Sequence, residues 1–388
     1  MTDPFGGFQN EIYLGGMGGQ TPPLPLRYED LRAAAEETLS PEAYDYVAGG
    51  ASSEDTMREN REAFRRWRIV PRMLRDISVR DLETEVLGTR MPAPVLLAPV
   101  GAQGIVHPDG EVAVARAASS LGIPFVLSTV SSFSVEEVAE AAGDGPRWYQ
   151  LYWPNDEQLT VSFLRRAEDA GYAAVVLTVD TTLLAWRPRD LRHAHLPFLR
   201  GQGIATYTSD PVFRDGLEAP PEEDPAQAVL RWVSVFPHPA ATWEKLSFVR
   251  EHTGLPLLLK GILDPDDARR AADAGADGVI VSNHGGRQVD GAIGSLDALP
   301  GVVDAVGDRV AVLLDSGVRT GADAVKALAL GARAVLLGRP WVWGLALAGE
   351  DGVRHVLRSF LADLDLTLGL AGRSSVAGLD RSALVRRP

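Results

Sequence analysis

Eight short apolar runs recur along the chain with amphipathic stretches between them, and this recurrence constrains the fold more than any other feature. The runs are 95–99 (VLLAP), 125–129 (FVLST), 147–153 (RWYQLYW), 174–180 (AVVLTVD), 256–261 (PLLLKG), 278–283 (GVIVSN), 309–317 (RVAVLLDSG) and 334–340 (AVLLGRP). None alternates apolar with polar residues, so each suits a strand covered on both faces. The intervening segments, such as EVAVARAASSLG (111–122) and DPDDARRAADAGA (264–276), carry helical spacing. Strand then helix, repeated eight times, is the pattern of a closed parallel sheet, so the reading is α/β: a (β/α)8 TIM barrel.

The starts of successive runs are 30, 22, 27, 82, 22, 31 and 25 residues apart, so one interval exceeds the others by about fifty. That interval holds an excursion, 181–241, with eight prolines and the acidic Glu222-Glu223-Asp224. It reads as irregular chain capping the barrel after the fourth strand. Before the barrel, Tyr28–Thr38 has a helical pattern, and Ser40 caps a second helix with Pro41 at its first position and Gly49-Gly50 at its end. The Gly-rich 15–19 (GGMGG) lacks a preceding strand and reads as a flexible arm rather than a dinucleotide loop. The expected division is residues 1–90, an arm and helices packing on the barrel, and 91–388, the barrel with its insertion.

Fifty-two acidic against 38 basic side chains leave a formal charge of −14, which repels polyanions and argues against nucleic acid as a partner. With no cysteine there is no disulfide, thiolate zinc site, iron–sulfur cluster or cysteine nucleophile. Redox chemistry then requires a cofactor. The opening MTDPFGGFQNEIY lacks the basic-then-apolar order of a signal peptide, and no stretch reads as a membrane span. A cytoplasmic protein without membrane attachment is expected.

In such barrels the C-terminal ends of the strands carry the chemistry. Every run supplies candidates there: Gly101; Ser128 and Thr129; Gln150 and Tyr152; Thr178 and Asp180; Lys260; Ser282, His284 and Arg287; Asp315 and Arg319; Gly338 and Arg339. Glycines and arginines after the last two strands, in DSGVRTG (315–321) and GRP (338–340), suit a phosphate, on a substrate or on a cofactor. Lys260 can form a Schiff base or stabilise a developing anion. In SNHGGRQ (282–288) a base stands next to a guanidinium, which suits proton abstraction from a substrate held by its carboxylate. Asp180 can orient the imidazole of His284, and Arg187 offers a second anion clamp. His193 and His195 lack an evident third ligand, so no metal is expected. His107, His238, His252 and His355 read as ordinary surface or loop residues, and neither H-E-x-x-H nor G-x-S-x-G occurs.

SNHGGRQ, LTVD (177–180), QLY (150–152), LLLKG (257–261), LDSGVRTGADAVKALALGA (314–332) and GRP together resemble the FMN-dependent α-hydroxy-acid oxidase family, over residues 11 to 382. The resemblance implies FMN as cofactor, a small 2-hydroxy acid and O2 as reactants, and a homotetramer or homo-octamer. It implies His284 as base with Asp180 as its partner, Arg187 and Arg287 as carboxylate clamps, Tyr46 and Tyr152 on the substrate, and Lys260 against the flavin ring. Pro99, Val100, Gly101, Ser128, Gln150, Thr178, Lys260, Ser282, Asp315, Arg319, Gly338 and Arg339 would hold FMN. The segments EIY (11–13), YVAGG (46–50), PRML (71–74), WRPRDL (186–191), PFLRG (197–201) and SDPVF (209–213) are most similar to the lactate 2-monooxygenase branch. Gly101, where oxidases commonly carry Ala, would leave room for oxygen and retained product. The implied reaction is L-lactate with O2 to acetate, CO2 and water, with an oxidase releasing the 2-oxo acid and H2O2 as the alternative. Val130, where glycolate-type members have Trp, points away from glycolate. From the residues alone, a phosphate-binding barrel isomerase or synthase and a non-enzymatic ligand-binding barrel stay open.

Overall fold

In a computed structural model, which describes residues 5–387, all eight apolar runs contain strands. These are β1 (Val95–Leu97), β2 (Phe125–Ser128), β3 (Arg147–Tyr152), β4 (Val175–Thr178), β5 (Leu257–Ile262), β6 (Gly278–Val281), β7 (Ala311–Leu314) and β8 (Ala334–Leu337). Each pairs in parallel with the next, and β8 returns to β1 through Val335–Val95, Leu336–Leu96 and Leu337–Leu97, closing the barrel that the sequence predicts.

The unalternated composition has a direct cause. Leu96, Val126, Trp148, Val176, Leu258, Ile280, Leu313 and Leu336 pack together inside the barrel. Their neighbours Leu97, Leu127, Tyr149, Leu177, Leu259, Val281, Leu314 and Leu337 pack outward with the helices. Each buried aliphatic side chain contributes roughly 1.5–3 kcal/mol, so either face turned polar would open the ring. Seven of the eight strands stop one to three residues short of the ends of their sequence runs, and β5 runs one residue past its own. Asp180, Asn283 and Asp315 therefore stand on loops at the mouth rather than within the sheet.

The N-terminal segment supplies α1 (Gly7–Met17), α2 (Tyr28–Thr38), α3 (Pro41–Ala48) and α4 (Asp55–Arg66). Ser40 accepts from the Ala43 N–H at 3.3 Å, with Pro41 opening α3 as the sequence predicts. The expected flexible glycine-rich arm is instead ordered: Gly15, Gly16 and Met17 complete α1, and Gly18 and Gly19 close it. Docking overrides the poor helix propensity of glycine. Phe8 lies under the Arg358 guanidinium at 4.1 Å and edge-on to His355, while Glu11 pairs with Arg358. His355, expected on the surface or a loop, thus belongs to the C-terminal helix Arg339–Leu370, half-buried with Nε2 3.1 Å from the Pro25 carbonyl. Leu31, Ala35, Tyr44 and Val47 join the same apolar core as the barrel's outer face.

The excursion is also better ordered than its prolines suggest. Short helices run over 188–192, 205–208, 211–215 and 225–235, with a 3-10 turn at 197–200. Pro188, Pro197, Pro211 and Pro225 each occupy a first-turn position. There the missing N–H costs nothing and the fixed φ is already helical. A buried stack of Phe198, Trp232 and Phe236, with centroids 5.0 Å apart at each step, anchors the excursion over the barrel mouth. Among the described residues, no helix is long and apolar enough to cross a membrane.

Candidate active site

The loops at the C-terminal ends of the strands meet around one cavity of about 1220 Å³, counting the space that opens to solvent. His284, Arg287, Arg187, Tyr46, Tyr152 and Lys260 all face it. They come from the loop after β6, the excursion, α3, the end of β3, and β5. Of the expected catalytic set only Asp180 stays out of the wall, because it stands behind His284.

His284 opens a turn in which three successive residues have positive φ: His284 (57°), Gly285 (66°) and Gly286 (75°). A histidine pays for that conformation, and such strain concentrates at functional sites. Gly286 has no substitute here, since a Cβ would lie 2.6 Å from Met57 Cγ and 2.7 Å from Met57 N on α4. The turn places His284 Nδ1 2.8 Å from Asp180 Oδ1 and Nε2 3.3 Å from the Tyr152 hydroxyl. Thr181 Oγ1 donates to the same Asp180 oxygen at 3.0 Å. Because the carboxylate accepts from Nδ1–H, the lone pair lies on Nε2. Burial pushes the imidazole below its ordinary pKa despite the opposing pull of Asp180. Burial acts to raise Asp180, but His284 and Lys260 outweigh it and hold the carboxyl at about 2. The pair is a neutral base beside a fixed negative charge.

Two guanidinium groups face the same space without a close carboxylate. Arg287 lies over the Tyr46 ring at 5.2 Å and donates to the Gly49 carbonyl at 2.6 Å. Arg187 donates to the Arg287 carbonyl at 3.1 Å and to Gln288 Oε1 at 2.9 Å, with Asp190 3.9 Å away. Burial, and then repulsion by Arg287, bring Arg187 down to about 10, so it stays charged at neutral pH. Burial raises the hydroxyls of Tyr46 and Tyr152, which keeps them protonated donors.

At the far side Lys260 Nζ lies 3.1 Å from Ser282 Oγ and 3.3 Å from Asp315. Burial opposes its charge, but Asp315 and Asp180 prevail and raise it above the ordinary lysine range. Arg319 lies 4.0 Å over the Tyr28 ring. Arg339 reaches the carbonyls of Val47, Gly285 and Gly49 at 2.9, 3.0 and 2.8 Å, so its fork is engaged by backbone in this structure.

A family model described as FMN-dependent dehydrogenase matches residues 35–386. The chain belongs to this FMN-dependent dehydrogenase family. The FMN-dependent alpha-hydroxy acid dehydrogenase qulF of Penicillium citrinum is 47% identical, covering 98% of this chain and 96% of its own. An L-lactate oxidase of Lysinibacillus sphaericus is 46% identical over 94% of each chain. Human 2-Hydroxyacid oxidase 1 is 41% identical over 94% of this chain and 98% of its own. Among solved structures, mandelate oxidase superposes with a TM-score of 0.83 at 42% identity, covering 94% and 98% of the two chains. The protein is accordingly an FMN-dependent oxidoreductase with the (β/α)8 fold.

The cavity fits FMN, a molecule that is anionic at its phosphate and gains negative charge on its ring when reduced. Arg319, Arg339 and Gly338 gather at one end, and a Cβ built on Gly338 would meet only open space. Buried Lys260 lines the same cavity. Pro99, Val100, Gly101, Lys260, Asp315, Arg319, Gly338 and Arg339 line the cavity. Ser128, Gln150, Thr178 and Ser282 lie outside its lining. Ser128 Oγ donates to Gln150 Oε1 at 3.0 Å and Gln150 Nε2 donates to Thr178 Oγ1 at 2.9 Å, while Ser282 carries Lys260. Ser128, Gln150 and Thr178 thus form a hydrogen-bonded row across β2, β3 and β4.

The expectation at Gly101 needs correction. A Cβ there would point at Val130, 2.5 Å from Cγ2 and 2.7 Å from its carbonyl oxygen. Val130 takes up the volume of the absent methyl, and both residues line the cavity.

Several residues went unassigned in the sequence. Thr181 sits next to Asp180, and Gln288 closes the SNHGGRQ motif, so adjacency was the available signal. Leu184, Phe198 and Phe236 wall the cavity from the excursion, where only the chain's path brings them together. His193 and His195, which the sequence sets aside as metal ligands, are not in the cavity lining, and His193 Nε2 lies 2.7 Å from Asp45.

Proposed function

We propose that the protein oxidises a small L-2-hydroxy acid, with L-lactate the first candidate, and delivers the electrons to O2. The observation that carries this reading is the convergence on one cavity of neutral His284 Nε2 with two guanidiniums that have no hydrogen-bonded carboxylate. Bound FMN supplies the two-electron acceptor that no side chain here provides. The substrate carboxylate sits between Arg187 and Arg287, which bind it by forked, charge-assisted bonds. Tyr46 and Tyr152 donate to the substrate oxygens. His284 Nε2 takes the proton that leaves as the alcohol becomes a ketone, and Asp180 stabilises the imidazolium so formed. Lys260 holds a positive charge where negative charge develops. The apolar wall of Val130, Leu184, Phe198 and Phe236 accepts a short aliphatic substituent.

The names of the L-lactate oxidase and 2-hydroxyacid oxidase relatives support this reading. Two outcomes follow once oxygen is reduced: release of pyruvate and H2O2, or lactate 2-monooxygenation to acetate, CO2 and water. The six segments quoted above favour the second, whereas Val130 filling the space beside Gly101 favours the first. We take the oxidase outcome as primary. Supplying L-lactate to the yellow holoenzyme without oxygen should bleach the flavin band, and in air pyruvate and H2O2 should exceed acetate. Failure of every small L-2-hydroxy acid to bleach the flavin would overturn the function, and mainly acetate would overturn the oxidase outcome. A homotetramer or homo-octamer belongs to the same proposal and is tested by the mass in solution.

A further inference from the structure

Arg187 is almost fully buried yet has no carboxylate within close range. Its ion-pair partner Asp190 stands 3.9 Å away, beyond hydrogen-bond reach, and Arg287 repels the guanidinium more strongly than Asp190 attracts it. What meets its Nη2 is the neutral amide oxygen of Gln288, at 2.9 Å. The other end of that amide is also in use. Gln288 Nε2 donates to the Asp180 carbonyl at 2.8 Å and to the Leu183 carbonyl at 3.2 Å. One side chain therefore ties the guanidinium to the backbone of the residue that orients His284.

The choice of an amide has a physical consequence. A buried guanidinium needs acceptors, since an unsatisfied charge costs several kcal/mol. A carboxylate would satisfy it best but would also cancel its charge, leaving little attraction for an incoming anion. An amide oxygen accepts the bond through a dipole and leaves the net charge intact. Resting on the function proposed above, we propose that Gln288 is a positioning residue that fixes Arg187 against the end of β4 while keeping its positive charge free for the substrate carboxylate.

Gln288→Glu and Gln288→Met test this in the holoenzyme. Glutamate keeps the shape and an acceptor but adds charge, whereas methionine keeps the length and removes both polar functions. The readout is calorimetric binding of the anion pyruvate against L-lactamide, the neutral amide of the substrate, alongside flavin content and the KM and kcat for L-lactate. We expect Gln288→Glu to weaken pyruvate binding and raise KM at least ~10-fold, with lactamide affinity and flavin content little changed. Gln288→Met should weaken pyruvate binding less than Gln288→Glu does. Wild-type affinity for pyruvate in Gln288→Glu overturns the role of Gln288 while leaving the proposed function standing. Equal losses for pyruvate and lactamide in both variants also overturn it, because they mark simple structural damage. A wild-type protein that binds no pyruvate overturns the clamp, and the proposed function falls with it.

Discussion

Asp180 meets His284 with one oxygen, Oδ1, at 2.8 Å, while its second, Oδ2, is buried without a hydrogen-bond partner. An orphaned carboxylate oxygen is costly, so the charge persists only through the surrounding cations. Its field acts on the imidazole and also on Lys260 and Tyr152. Because the pKa of His284 is lowered, the base is active above a point that lies below the ordinary 6.5. kcat/KM should therefore rise with pH through an acid limb below ~6.5 and be flat near neutrality. Asp180→Asn removes a group that raises the imidazole pKa, so the limb should move to lower pH while the plateau falls at least ~10²-fold. A limb that moves upward in the pH profile contradicts this assignment.

His284→Asn should retain FMN, since no cavity-forming backbone contact depends on the ring. Stopped-flow flavin reduction should slow at least ~10²-fold, the lower end for loss of a general base. Unaltered reduction would remove His284 from the chemistry.

Lysine at position 287 keeps the charge and loses the fork. Arg287→Lys should raise KM for L-lactate by ~10-fold or more with a smaller effect on kcat, and its contact with the Tyr46 ring should weaken. A normal KM in steady-state assays counts against the clamp.

Glu111 gives a stability prediction. Its side chain is fully buried under the mouth, where Oε1 accepts from Gln103 N at 3.0 Å and Ser132 N at 3.1 Å, and burial raises its pKa to about 7. For a carboxyl raised in the folded state, the contribution is full below the unfolded value of 4.5 and is lost as pH rises towards 7. Over that window the wild type should lose up to ~3 kcal/mol that Glu111→Gln keeps. Unfolding by urea at pH 5 and pH 8 measures this, and a difference independent of pH refutes it.

Gly101→Ala should lower the melting temperature and FMN affinity, because the new methyl collides with Val130. Val130→Ala should restore part of the loss by removing Cγ2, but not all, because the Val130 carbonyl remains. Full tolerance of Gly101→Ala by thermal melting would show that β1 and β2 separate at no cost.

The barrel was legible because strands covered on both faces leave uninterrupted apolar runs such as VLLA and GVIV. The site was legible because polar residues at the ends of such runs have few other uses. What escaped detection depended on direction or on tertiary partners. Nothing in the letters at Gly101 says that its missing Cβ points at Val130. Prolines in 181–241 read as breaks, although four of them open helical turns, two behind the capping aspartates Asp210 and Asp224. Helix α1 forms from glycines only because the C-terminal helix receives it.

Arg287 and Arg339 both donate to the Gly49 carbonyl, and Tyr46 lies three residues before it. That peptide belongs to the segment preceding the first barrel strand, so the cavity is built from both sides of that point in the chain. A chain trimmed to its eight strands and their helices would lose Tyr46 from the cavity wall, the acceptor shared by two arginines and part of the common core. Anyone grafting this chemistry onto another barrel must transplant that leading segment as well.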